Sequence, residues 1–168
     1  MNRWLRILKH RWLDEGDAQR ALGVAGLERL RERVAASELT HSGEIRICVE
    51  AGLPLSYLWR GATARERAVT QFGKLRVWDT EHNNGVLIYL LLAEHCIEMV
   101  ADRGLCRHVG AAQWQAITRG MSAAFREGRF EDGLIAAVDA VTASLHQHFP
   151  LAAGERNPNE LPDAPVLR

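Results

Sequence analysis

Glu44, Asp79, Glu81, Asn84 and Asp102 are the side chains whose types and placement could do chemistry. Asp79, Glu81 and Asn84 belong to the polar stretch DTEHNNG, residues 79–85, directly before the apolar run VLIYLLL, and Asp102 follows the alternating segment CIEMVA. Carboxylates held together repel, so such a cluster raises the pKa values of its members or recruits a cation. Hard oxygen donors drawn from several loops suit calcium or magnesium. An ion held there could polarise a phosphate ester and activate water, with His82 and Arg103 assisting. The same residues are also ordinary turn chemistry. Asp79 could cap a turn, Asn84-Gly85 could supply a left-handed backbone position, and Asp102 could cap the next helix or pair with Arg103. The sequence contains no GxSxG, P-loop or glycine-rich dinucleotide turn, so no nucleophile for covalent catalysis is named.

The elements that must position these residues follow from periodicity. Asp17 to Ser37 reads as a helix with Leu22, Leu27, Leu30 and Val34 on one face. In GEIRICVE, Ile45, Ile47 and Val49 alternate with Arg46, Cys48 and Glu50, which predicts a strand with one face more buried than the other. Gly52 to Gly61 reads as a loop, and Thr63 and Glu66 have capping-box spacing for a helix that runs to about Trp78. Val86 to Leu92 is apolar on both faces, as in a central strand, and AEH is short enough to turn the chain back into CIEMVA as an antiparallel edge strand. Two helices follow, one striped by Trp114, Ile117 and Met121, the other by Leu134, Val138, Val141, Leu145 and Phe149, with Gly128 between them. A strand–helix–strand crossover puts Glu44 and Asn84 at one end of the sheet, and the hairpin returns Asp102 to that end. The candidate residues are therefore expected to share one rim.

The bulk properties narrow the function. A chain of 168 residues is most economically one domain with a substantial core. Equal numbers of basic and acidic residues, 21 of each, give no global field favouring nucleic acid. Cys48, Cys96 and Cys106 are odd in number and lack CxxC spacing, which speaks against a disulfide scaffold or a zinc ribbon and for a reducing compartment. No apolar run reaches membrane-spanning length, and no secretory leader is read at the start, so a cytoplasmic location is expected. The opening MNRWLRILKHRWL is different in kind: Trp4, Leu5, Leu8 and Trp12 share a helical face, and Arg3, Arg6, Lys9 and Arg11 come without an acid. Residues 1–13 are thus expected to contact the inner face of an anionic membrane, or else to pack on the domain. From Pro150 onward, Pro158, Pro162 and Pro165 crowd a polar stretch expected to form a mobile tail.

The segments SGEIRICVE, TEHNNGVLIYLLLAE, EMVADRG and FREGRFEDG, taken in order, resemble the TPM domain family, named for thylakoid-lumen, photosystem-repair and receptor-modulating members. The resemblance covers roughly residues 34–149. It implies an α/β/α sandwich with a small mixed sheet, here with a helical extension at 1–33 and the tail at 150–168. Some members resemble weak acid phosphatases and some bind calcium or similar ions at the loop edge of the sheet, which directs interest to Asp79, Glu81, Asn84 and Asp102; Glu44 is added by geometry. The sequence lacks the C-terminal membrane helix and glycine-rich tail of longer members and is similar to the short bacterial form. The expected function is a binding or assembly module acting with a membrane-associated protein partner and holding Ca2+ or Mg2+ at the acidic rim. The alternative is a low-activity, metal-dependent acid phosphatase.

Overall fold

The structure, a computed structural model, describes residues 3–168. Its centre is a four-stranded mixed sheet in the order β3-β2-β1-β4, built from β1 (Ile45–Glu50), β2 (Val86–Leu91), β3 (Cys96–Ala101) and β4 (Val166–Leu167). β1 and β2 run parallel, with Ile45 opposite Val86, whereas β3 returns antiparallel with Ala101 opposite Val86. The hairpin turns through a short 3-10 segment, Leu92–Glu94, and a left-handed His95.

Helices cover both faces, giving the three-layer α/β/α sandwich. On one face α2 (Glu15–Glu38), α6 (Ala111–Arg126) and α7 (Phe130–His148) close a core over Ile45, Ile47, Val49, Val86, Ile88 and Leu90. On the other, α3 (Leu55–Trp59) and α4 (Ala64–Lys74) pack against Cys48, Leu87, Tyr89 and Leu91, with Ile7 of α1 (Arg3–Arg11) at the margin. The side-chain period of two sends alternate strand residues into these two cores. The Thr63–Glu66 capping box forms and starts α4. α5 (Arg103–Cys106) is a single turn directly after β3.

Four expectations are amended. The stretch 52–61 holds a short helix, α3, rather than loop alone. β1 is buried at every position, because Arg67 and the C-terminal segment cover the face that carries Glu50 and Arg46. The sequence places a division at 33, but α2 is continuous there and ends at Glu38; its break comes at Gly23, with φ 68°. Residues 150–168, expected as a mobile tail, fold back along the outer edge of β1. Leu161 is buried there, β4 pairs with Cys48 and Val49, and Arg168 exchanges hydrogen bonds with Val49 and Ala51. Proline favours extended backbone, and an extended segment needs only a few side-chain anchors to hold it to an edge.

Candidate functional site

The rim is assembled by backbone hydrogen bonds. Val86 N–H donates to Glu44 O at 2.8 Å, Asp102 N–H to Gly85 O at 2.9 Å and Gly104 N–H to Asn83 O at 2.7 Å. Glu44, Asn84 and Asp102 therefore meet at one end of the sheet. The left-handed position lies at Asn83, with φ 52°, one residue earlier than expected. Gly85 serves close approach instead, since a Cβ there would stand 2.0 Å from Val77 O.

The side chains diverge from this shared backbone. Asp79 is exposed and lies 3.5 Å from Arg76. Glu81 is exposed, and its backbone N–H donates to the Glu160 carboxylate at 3.1 Å. Glu44 is fully buried and turned toward the C-terminal segment, where Leu161 N–H donates to its Oε2 at 3.1 Å. Asp102 caps α5 by accepting from Arg103 N–H at 2.7 Å, and its Oδ2 is buried without a partner. Asn84 donates to Ser42 Oγ at 3.3 Å, and its Oδ1 is also buried without a partner. Among the described residues no group of three or more His, Cys, Asp or Glu side chains is arranged to hold a metal ion. Of the predicted set, Asn84 Oδ1, Asp102 Oδ2 and Glu44 Oε1 are buried without a partner, and Glu44 is held on the side of the C-terminal segment.

Beside Asp102, His82, Asn83, Arg103, Gly104 and Arg107 line a cleft of about 280 Å³. Its charged walls are cationic, so its chemistry suits an oxyanion such as a phosphoryl group.

Sequence reasoning missed two buried acidic groups. Glu50 accepts from Arg67 Nη2 at 2.6 Å and Nε at 2.8 Å, and Tyr89 Oη donates to it at 2.7 Å. Burial with the adjacent Glu50 charge pushes the Tyr89 phenol upward. Near the start of β1, Glu38 Oε1 accepts from Ile45 N–H at 3.0 Å. Burial, followed by the nearby Glu44, pushes the Glu38 carboxyl up to about 8, and burial pushes Glu44 up to about 7. Alternation assigns Glu50 to a strand face but cannot name the helix residue that crosses it. For Glu38, the only signal was its place at the end of an amphipathic helix.

A second surface lies on α1. His10 is buried: its Nδ1 accepts from Leu53 N–H at 2.9 Å, so its Nε2–H is the donor to Glu94 Oε1 at 3.0 Å. Arg6 donates to the same Glu94 oxygen at 2.7 Å and to Ala62 O. Gly52 allows this approach, because a Cβ there would meet His10 O at 2.5 Å. These contacts fix the polar side of α1 to the domain, while Trp4, Leu5, Leu8 and Trp12 remain 62%, 60%, 54% and 80% exposed. Trp59 extends the patch by an edge contact with Trp4 at 6.3 Å, and Arg3 lies 5.1 Å from the Trp59 ring centroid. Arg3, Lys9 and Arg11 are exposed around it. Within 1–13, the first two residues lie outside those described. No helix among the described residues is long and apolar enough to cross a membrane.

The fold is similar to that of the BA42 protein from the psychrophilic bacterium Bizionia argentinensis, with a TM-score of 0.74 and 23% identity over 86% of this chain and 94% of that one. The N-terminal domain of a protein from P. gingivalis is also similar, with a TM-score of 0.63 and 20% identity over 81% of this chain and 90% of that one. No curated protein matches the chain. The family model of the TPM domain matches residues 17–144, which take in the sheet hairpin, the rim and the helices of both faces. On that match, the chain belongs to the TPM domain family.

Proposed function

We propose that this protein is a binding module that rests on an anionic membrane surface through α1 and offers its rim to a membrane-associated protein partner. The supporting observation is the outward display of Trp4, Leu5 and Leu8 on a helix, and of Trp12 just past its end, while the other side is pinned by His10 and Arg6. A helix packed to complete the core would turn those side chains inward; this one keeps them in water, ringed by Arg3, Lys9 and Arg11. Apolar insertion and the attraction of basic residues to anionic lipid, roughly 1 kcal/mol each, act together on such a face. At the rim, Asn84 Oδ1 and Asp102 Oδ2 are the proposed ligands of a weakly held Ca2+ or Mg2+, with water completing the shell.

Vesicle sedimentation tests the docking. Wild type is expected to pellet with phosphatidylglycerol vesicles and not with phosphatidylcholine vesicles, and a Trp4→Ser, Leu8→Ser, Trp12→Ser variant to stay in the supernatant. Equal pelleting of the two proteins removes α1 from the contact. Point changes on the exposed face are preferable to deleting residues 1–13, which would also strip His10 and Arg6 from Leu53, Glu94 and Ala62. The cation is tested by titrating Ca2+ and Mg2+ into wild type and Asp102→Asn, a change that leaves an oxygen to cap α5. Saturable amide shifts at Asn83–Gly85 and Arg103 that weaken in the variant support the site; none up to millimolar ion rejects it.

The cleft of His82, Arg103 and Arg107 favours one second reading, metal-dependent hydrolysis of a phosphate ester next to Asp102. Turnover of p-nitrophenyl phosphate that requires a divalent ion and falls in both Arg103→Ala and Asp102→Asn would support it. Turnover that survives both changes would place any activity elsewhere.

A further inference from the structure

Glu38 at the end of α2, Glu44 before β1 and Asp163 in the C-terminal segment bring three carboxyl groups to the outer edge of the sheet. Glu38 is 4% exposed and Glu44 0%. Each uses one oxygen to hold backbone: Glu38 takes Ile45 N–H, and Glu44 takes Leu161 N–H. The other oxygens, Glu38 Oε2 and Glu44 Oε1, are buried without a partner, as is Asp163 Oδ1. Asp163 lies close enough for its charge to add to that of Glu44 in raising the Glu38 carboxyl.

The surrounding charges do not neutralise the group. Arg46 from β1 acts on Asp163 while its Nη1 donates to the carbonyls of Pro162 and Ala164, and it offsets only that member of the group. Arg31 of α2 is half-buried and acts on Asp163 at longer range. Glu160, on the same segment, adds negative charge facing Glu44. Glu155 and Arg156 line the adjoining cleft with opposite signs. With Arg46 acting on Asp163, the economical way to bury Glu38 and Glu44 is to leave protons on them.

We propose that the C-terminal strap, residues 157–168, is a proton-controlled latch: it closes on the β1 edge while Glu38 and Glu44 hold protons beside Asp163, and it opens when the two glutamates ionise. Its remaining anchors are Arg46 Nη1 on the carbonyls of Pro162 and Ala164, Asn157 Nδ2 on the carbonyls of His41 and Gly43, Leu161 in its pocket, and the short β4. Arg46 is the charged member of these, and it acts on Asp163. Opening uncovers the outer edge of β1, a row of backbone donors and acceptors able to pair with another strand. The raised carboxyls of Glu38 and Glu44 place the event in the neutral to mildly alkaline range. The sign is fixed by linkage. A raised carboxyl stabilises the closed form fully below the ordinary value of 4.5, and that contribution is lost as pH rises through about 7 and about 8. This latch does not depend on the proposed membrane docking.

Amide NMR shifts of the full chain, followed from about pH 6 to about pH 9, test it. The signals of Leu161, Val166 and Leu167 are expected to move to unstructured positions while those of β2 stay fixed, the open population growing about tenfold per pH unit for each proton released. Glu38→Gln and Glu44→Gln, which remove the charge and keep the shape, are expected to hold the strap closed at the alkaline end. Asp163→Asn, on the partly exposed strap, gives the same readout without touching the core and moves the midpoint upward. A wild-type strap that stays closed throughout the range overturns the latch. So does opening at the same pH in wild type and in every variant that folds.

Discussion

At the scale of single residues, the side chains with the largest structural consequences are buried polar groups that pair across long sequence distances. Glu50 and Arg67 form a two-pronged ion pair beneath α4, with Tyr89 as a second donor to Glu50. Removing one member leaves the other buried and uncompensated. Arg67→Met is therefore expected to cost about 3–5 kcal/mol in urea unfolding, and adding Glu50→Leu to that background to recover much of the loss. If the double variant is no more stable than Arg67→Met alone, the pair is not the source of the cost. The sequence revealed the acids of the rim because Asp, Asn and Gly before an apolar run mark a turn, and because strand directions follow from the crossover and the hairpin. It did not reveal where their side chains point. Glu44 and Asn84 share a rim by topology, yet Glu44 is drawn away to Leu161, a residue 117 positions later. Local patterning carries no information about a partner at that separation.

At the scale of elements, α1 depends on a small polar anchor. Hydrogen bonds from His10 and Arg6 hold the Glu94 carboxyl down at about 2. A depressed carboxyl stabilises docking fully above its ordinary value of 4.5 and loses that contribution as pH falls toward about 2. Acidification through that window is expected to release α1, visible as a shift of the Leu53 amide that now donates to His10. Glu94→Gln should flatten that profile; an unchanged profile would assign the acid response to another group. The helix itself was legible from the spacing of Trp4, Leu5, Leu8 and Trp12. Its orientation was not. An apolar stripe ordinarily predicts the buried side, whereas here the polar side docks, because Glu94, Ala62 and Leu53 supply the partners that His10 and Arg6 need.

At the scale of the whole molecule, the C-terminal strap is part of the fold it was expected to trail behind. Its prolines and polar residues lack the periodicity that signals packing. What holds it is complementary chemistry already present on the domain: Glu44 for the Leu161 N–H, Arg46 for two carbonyls, and the open side of β1 for Val166 and Leu167. The sheet thus has one edge at β3 and another covered by a strand only two residues long. A chain ending at Pro150 would lose the cover over β1 and the buried side chain of Leu161, whose burial alone contributes roughly 1.5–3 kcal/mol. It would also leave Arg46 without its carbonyl acceptors and Glu44 without its backbone donor. Such a truncation is expected to lower the urea midpoint and to promote self-association, since an uncovered strand edge pairs readily with another chain. Unfolding curves and sedimentation velocity on the truncated and full-length chains check both effects. If the shortened protein is as stable and as monodisperse as the full chain, the strap contributes nothing to the fold. If only the midpoint falls, the open edge of β1 is protected by its own twist and does not recruit a second strand.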